Sequence, residues 1–131
     1  MTASQKIFIT GASSGIGAAM AMEYAKRGAA LGLAARRKEK LEQIAQECSI
    51  QGAKHVETYS LDVKDADASE RIAKEFMSLG EEGIDTVIAN AGLAISDQLS
   101  KGESSRINHL LNTNILGVTN TIIPFIPQMK K

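Results

Sequence analysis

The sequence has one cysteine, no excess charge of either sign and no long apolar run, and each shortage removes a class of protein. A single thiol, Cys48, cannot form an intrachain disulfide framework, and no cysteine cluster is present for a structural zinc. A reducing compartment is the simpler reading, with no metal expected. Lys plus Arg and Asp plus Glu number 15 each, so no net field draws the chain to nucleic acid or to an anionic membrane. Lys6 precedes only Ile7-Phe8-Ile9, too short a stretch for a signal peptide, and no later run reaches the length of a membrane span. A cytoplasmic protein that binds neither nucleic acid nor membrane is the expectation. Internal repeats, low-complexity tracts and linkers are also missing. What remains is 131 residues, 44% hydrophobic and 23% charged, which is the make-up of one ordinary globular domain with one core.

Short apolar runs alternate with longer helical patterns, and that alternation predicts an α/β domain. Residues 7–10 read as a buried strand, and residues 15–27 carry small and apolar side chains at helical spacing until Gly28. Residues 30–34 form the second predicted strand. Residues 37–50 form a helix with Leu41, Ile44, Ala45 and Cys48 on one stripe, ended by Gly52, which makes Cys48 a core residue and not a nucleophile. Residues 55–59 alternate as a less buried strand, and residues 67–79 place Ile72, Phe76 and Leu79 on one helical face. A fourth strand is expected over 84–89, then a polar stretch over 96–103. The final helix carries Ile107, Leu110, Leu111 and Val118, and Pro124 and Pro127 limit or kink its end. Parallel strands in the order 3-2-1-4 are the simplest arrangement, a Rossmann-type doubly wound sheet.

Between the first strand and the first helix stands Gly11-Ala12-Ser13-Ser14-Gly15-Ile16-Gly17. Glycine lets the chain turn out of the strand and lets a pyrophosphate reach the backbone, where free N–H groups and the helix dipole receive it. Ser13 and Ser14 add hydroxyl donors. The other reading is a glycine turn that only packs helix on strand; the position between β and α favours the phosphate loop. At the end of the second strand the run is Leu33-Ala34-Ala35-Arg36-Arg37, with no acid to bind a ribose 2′-hydroxyl. A guanidinium grips a phosphate bidentately, so Arg36 is the natural ligand of a 2′-phosphate and Arg37 a second, unless both simply open the next helix in solvent. NADP(H) in preference to NAD(H) is the cofactor this predicts.

Four separated motifs then resemble the short-chain dehydrogenase/reductase family, across nearly the whole chain. Thr10 to Gly17 is similar to its TGxxxGxG cofactor loop, Leu61-Asp62-Val63 to its adenine pocket, Asn90-Ala91-Gly92 to its NAG segment, and Asn114-Ile115-Leu116-Gly117 to the segment holding the asparagine of its catalytic tetrad. The resemblance implies that Asp62, beside Val63, caps the adenine amino group, that Asn90, Ala91 and Gly92 line the cofactor, and that Asn114 is the catalytic asparagine ordering a water in a proton relay. Read without the family, Asn114 shares a helical face with Leu110, Leu111 and Val118 and could be a core amide satisfied by backbone. Asn90 could be a turn residue, and Asp62 a capping or turn aspartate. His109 reads as a surface or packing histidine.

The family's serine, and its tyrosine four residues before a lysine, have no counterpart here. Tyr24 and Tyr59 are the only tyrosines, and the residues four positions on are Gly28 and Val63. The expectation is a single NAD(P)-binding domain over 1–131, truncated before the later strands. It would be the cofactor portion of an oxidoreductase acting on a carbonyl or alcohol, with a substrate of its own only if the chain continues. The alternative is a non-catalytic dinucleotide-binding module or subunit. An open fourth strand and a final helix whose Ile122, Ile123, Phe125 and Ile126 have little to pack on predict self-association.

Overall fold

The computed structural model describes residues 5–80, 83–92, 102 and 104–130. Four strands, β1 (Lys6–Thr10), β2 (Ala30–Ala35), β3 (His55–Ser60) and β4 (Thr86–Ile88), form one sheet in the order β3-β2-β1-β4. Every pairing is parallel, with Ile7 opposite Leu31 on one side and Thr86 on the other. The crossovers are α1 (Gly15–Lys26), α2 (Lys38–Gln51) and α3 (Ala66–Ser78). This is the doubly wound α/β architecture expected from the alternation of runs.

Successive residues of a strand face opposite sides, so β1 feeds two layers. Ile7 and Ile9, with Leu31 and Leu33, pack under Ala21 and Ala25 of α1 and Leu41 and Cys48 of α2. Phe8 and Ala34 face the other way, onto Tyr59, Ile72 and Phe76. Gly32 makes that second layer possible: a Cβ there would come within 2.8 Å of the Phe76 ring and 2.9 Å of the Phe8 ring. α3 starts at Asp65, whose carboxylate accepts the Ala68 N–H at 3.0 Å. It ends on a buried cation, since Lys6 Nζ donates to the Leu79 carbonyl at 2.6 Å and the Met77 carbonyl at 3.4 Å, where the helix dipole is negative.

Two expectations need correction. The fourth strand is Thr86–Ile88, shorter than 84–89, because side chains outbid the ladder at both ends. Ile84 donates its N–H to Gln128 Oε1 at 3.0 Å, and Asn90 gives its N–H to Thr10 Oγ1 at 3.1 Å. The final helix is also not one uniform helix. It runs as α4 (Ser104–Leu111), a π turn (Asn112–Leu116), α5 (Gly117–Ile122), a 3-10 turn (Ile123–Phe125) and α6 (Ile126–Met129). Its buried stripe is Thr113, Gly117, Thr121 and Phe125, while Leu111 is exposed. A 3.6-residue period read through a π turn loses phase, which is why the predicted Leu110–Leu111–Val118 face was misplaced. Phe125 is not left without neighbours either: it is 1% exposed, with its ring 5.0 Å from that of Phe8. Ile122 and Ile126 are half-buried and only Ile123 remains well exposed. The polar stretch 96–103 lies, but for Gly102, outside the described residues. Among the described residues no helix is long and apolar enough to cross a membrane.

Candidate functional site

The carboxyl ends of the strands open onto a cleft of about 660 Å3. Crevices at this end of an open α/β sheet are where ligands bind. Gly11, Ser13 and Ser14 line it after β1, Arg36, Arg37 and Lys40 after β2, Leu61, Asp62 and Val63 after β3, and Asn90, Ala91 and Gly92 after β4, with Thr113 added from the π turn.

The β1 and β4 exits are fastened by one hydroxyl. Thr10, 1% exposed at the end of β1, accepts the N–H of Asn90 at 3.1 Å and of Ala91 at 3.2 Å. Asn90 Nδ2 in turn donates to the Gly11 carbonyl at 3.2 Å. Gly11 has φ +65, and a Cβ on it would stand 2.9 Å from the backbone of Ala91, so only glycine fits this crossing. The same carbonyl seats α1, since a Cβ at Gly17 would lie 2.2 Å from it. Gly17 is thus the packing glycine of the loop. Gly15 (φ +57) turns the chain into the helix in open space, and Ile16 is 72% exposed. Ser14 holds the N-cap position with extended backbone, but its side chain caps nothing, and no acid sits in the first turn of α1. The first-turn N–H groups and the dipole therefore face the loop unneutralised by that helix's own side chains.

At the β2 exit, Ala35 ends the strand, Arg36 follows it, and Arg37 is the N-cap of α2 and not its first residue. Ser60 Oγ donates to the Arg36 carbonyl at 3.4 Å, tying the ends of β2 and β3. Sequence reasoning missed Lys40, although it stands three residues after Arg37 on the first turn of α2 and so reaches the same wall. Arg36, Arg37 and Lys40 face a single acid of the lining, Asp62.

Asp62 has both roles of a turn residue: its Oδ1 accepts the Lys64 N–H at 3.0 Å and its Oδ2 lies 3.8 Å from Lys64 Nζ. The helix cap is Asp65. Lys64 Nζ is also 3.0 Å from His109 Nδ1, which makes His109 a packing partner of this loop, as its sequence setting suggested. Val63 is held from the other side, where Asn120 Nδ2 donates to its carbonyl at 2.9 Å and Gly117 leaves room for its methyl.

Asn114 sits in the π turn, half-buried, and its Oδ1 would be 3.1 Å from a Cβ built on Gly92. It meets the 90–92 segment and is not on the buried stripe that its neighbours were expected to form. Other reactive groups are remote in character from this cleft. Burial, and secondarily Glu47, pushes the Cys48 thiol up to about 11, as befits a core residue. Tyr59 lies in the Phe8–Phe76 aromatic cluster, and burial, then Glu57 and Glu75, raises its phenol well above the usual tyrosine range. Among the described residues no group of three His, Cys, Asp or Glu side chains could hold a metal.

A family model described as short chain dehydrogenase matches residues 5–131. The chain belongs to the short-chain dehydrogenase family. It is 34% identical over 125 residues to 3-dehydrosphinganine reductase TSC10B of Arabidopsis thaliana, covering 95% of this chain and 36% of that protein. With the sulfoacetaldehyde reductase of Chromohalobacter salexigens it shares 35% over 124 residues, or 94% of this chain and 48% of the other. An alcohol dehydrogenase from the archaeon Thermococcus sibiricus, solved with 5-hydroxy-NADP, superposes with a TM-score of 0.89 at 36% identity, over 98% of this chain and 54% of that one. A metagenomic short-chain oxidoreductase in complex with NADP gives 0.87 at 28%, over 95% and 56%. The chain thus spans between about a third and a half of the length of these two curated relatives.

Proposed function

We propose that the chain binds NADP(H) in the cleft and forms the cofactor-binding portion of an oxidoreductase that moves hydride between nicotinamide and a carbonyl or alcohol. The observation that carries the reading is the β2 exit: Ala35 stands where an acid would receive a ribose 2′-hydroxyl, and Arg36, Arg37 and Lys40 line the adjacent wall. The glycine loop supports the reading as well: Gly11 and Gly17 let it close against the 90–92 segment and against α1, and the first turn of α1 presents its N–H groups there. When bound, the nicotinamide supplies the hydride chemistry. This chain's residues then hold and orient it: Ser13 and Ser14 donate to phosphate, Arg36 with Arg37 and Lys40 neutralises the 2′-phosphate, and Asp62 and Val63 bound the adenine. Thr10 and Asn90 act at one remove by fixing the loop. Asn114, which meets Gly92, would order a water beside the nicotinamide end.

A second reading, a dinucleotide-binding module that does not itself turn over substrate, is favoured by the two tyrosines. Tyr24 packs against the α1–α2 core and Tyr59 is enclosed by aromatic rings, so neither can protonate a carbonyl oxygen in the cleft. Calorimetric titration with NADPH and NADH tests the main reading. Tighter binding of NADPH, by about tenfold or more, is expected from a charge-assisted phosphate contact. Equal affinities would overturn the cofactor assignment, and no binding of either would overturn the function.

A further inference from the structure

Three threonines lie on the last helical segment, and two do what helical threonines ordinarily do. Thr119 Oγ1 donates to the Leu116 carbonyl at 3.0 Å, and Thr121 Oγ1 to the Gly117 carbonyl at 2.7 Å. Thr113 behaves differently. It is only 8% exposed, and among the described residues its Oγ1 has no hydrogen-bond partner. A buried hydroxyl without a partner costs stability, and valine would give the same shape without that cost. The residue occupies the π turn, where an extra residue shifts the side-chain register, and π turns of this kind concentrate at functional sites. It also lines the cleft with Val63 and Ala91.

We propose that Thr113 is a binding residue of the cleft whose hydroxyl finds its partner in the adenine base of a bound nucleotide. The inference rests on the dinucleotide reading given above. The segment bearing Thr113 is pinned to the β3 exit, through Gly117 against Val63 and Asn120 on the Val63 carbonyl, so it belongs to the half of the cleft nearest Asp62. An adenine edge carries both donors and acceptors, and a threonine hydroxyl can be either. Rotation about χ1, for which threonine on a helix has two favourable settings, carries the hydroxyl to a new position and can present the oxygen to the cleft.

The test compares the 131-residue protein with its Thr113→Val and Thr113→Ser variants in titrations with ADP and NADPH, alongside thermal melts without nucleotide. Thr113→Val should weaken both ligands by the same factor, roughly two- to tenfold for one neutral hydrogen bond, and should melt no lower than the unmutated protein. Thr113→Ser should bind within about twofold of it, since the hydroxyl is kept. Unchanged ADP affinity in the valine variant overturns the assignment while leaving the dinucleotide reading intact. A lower melting temperature for that variant overturns it too, by exposing a partner for the hydroxyl within the chain. If the unmutated protein binds neither ADP nor NADPH, the dinucleotide reading fails, and the role of Thr113 fails with it.

Discussion

On the proposed reading Arg36 and Ala35 both favour a 2′-phosphate, one by its charge and the other by the lack of an acid, and each can be changed alone. Arg36→Ala should weaken NADPH about tenfold or more and leave NADH nearly untouched, because the guanidinium acts on a 2′-phosphate that NADH does not carry. Ala35→Asp should reverse the preference by adding repulsion to one ligand and an acceptor to the other. Calorimetric titration of both cofactors checks both variants, and a loss shared by NADH and NADPH in Arg36→Ala would return that arginine to an ordinary helix start. Thr10 acts through its hydroxyl on backbone groups alone. Thr10→Val removes the acceptor of two N–H groups, from Asn90 and Ala91, and should lower stability by roughly 1 to 3 kcal/mol and cofactor affinity with it. A chemical denaturation midpoint and an NADPH titration measure the two effects. Cys48 gives a pH signature. Its thiol ionises near 9.0 when ordinary and near 11 in the fold, so the folded state keeps a proton that the unfolded state releases. The contribution is complete below about pH 9 and is lost as pH rises towards 11. Tyr59 adds a loss of the same sign at the alkaline end of that window. Denaturation midpoints measured between those pH values should fall, and Cys48→Ala should fall less steeply.

At the level of elements, each crossover is stopped or started by a residue whose chemistry suits the place. Lys6 closes α3 from inside a strand, and Lys6→Met should destabilise the protein by about 2 kcal/mol, the range for hydrogen bonds to a charged group, with thermal melting as the measurement. Nothing local to Lys6 announces this, because its partners, the Leu79 and Met77 carbonyls, lie more than 70 residues away. The strands, the order 3-2-1-4, the glycine loop and α2 with its stripe through Cys48 were legible, since each rests on periodicity or on turn chemistry within a short window. The final helix was not. Its register is broken by the π turn at Asn112–Leu116, and its buried face is made of Thr113, Gly117 and Thr121, which look polar or featureless in a hydrophobic pattern. The cleft lining divided in the same way: Arg36, Asp62 and Asn90 could be named from motif and position, whereas Lys40 needed its helical turn and Thr113 the π turn. Thr10, read as a strand residue, is in fact the fastening point of two strands.

For the molecule as a whole, the cleft is lined by the glycine loop and by Arg36, Arg37 and Lys40, but the described residues set no phenol beside it. Protein free of contaminating reductase should bind NADPH yet fail to oxidise it steadily with a panel of ketones, because a positioned general acid typically contributes ~100- to 10,000-fold. Sustained turnover would show that another group serves. Self-association remains the expectation, with β4 at the sheet edge and Leu111, Ile115, Leu116 and Ile123 exposed on one segment. Light scattering should show mass rising with concentration. The Thr10 fastening has a bearing on time as well as on shape. Its two donors arrive about 80 residues later in the chain, so on the ribosome the glycine loop is synthesised long before the segment that holds it. Closing so long a loop carries an entropic cost that local contacts cannot offset in advance. Nucleotide capture must therefore be a late event of folding, available only once the chain has emerged past Ala91, and a nascent chain stalled earlier should have a phosphate loop that cannot yet hold a phosphate.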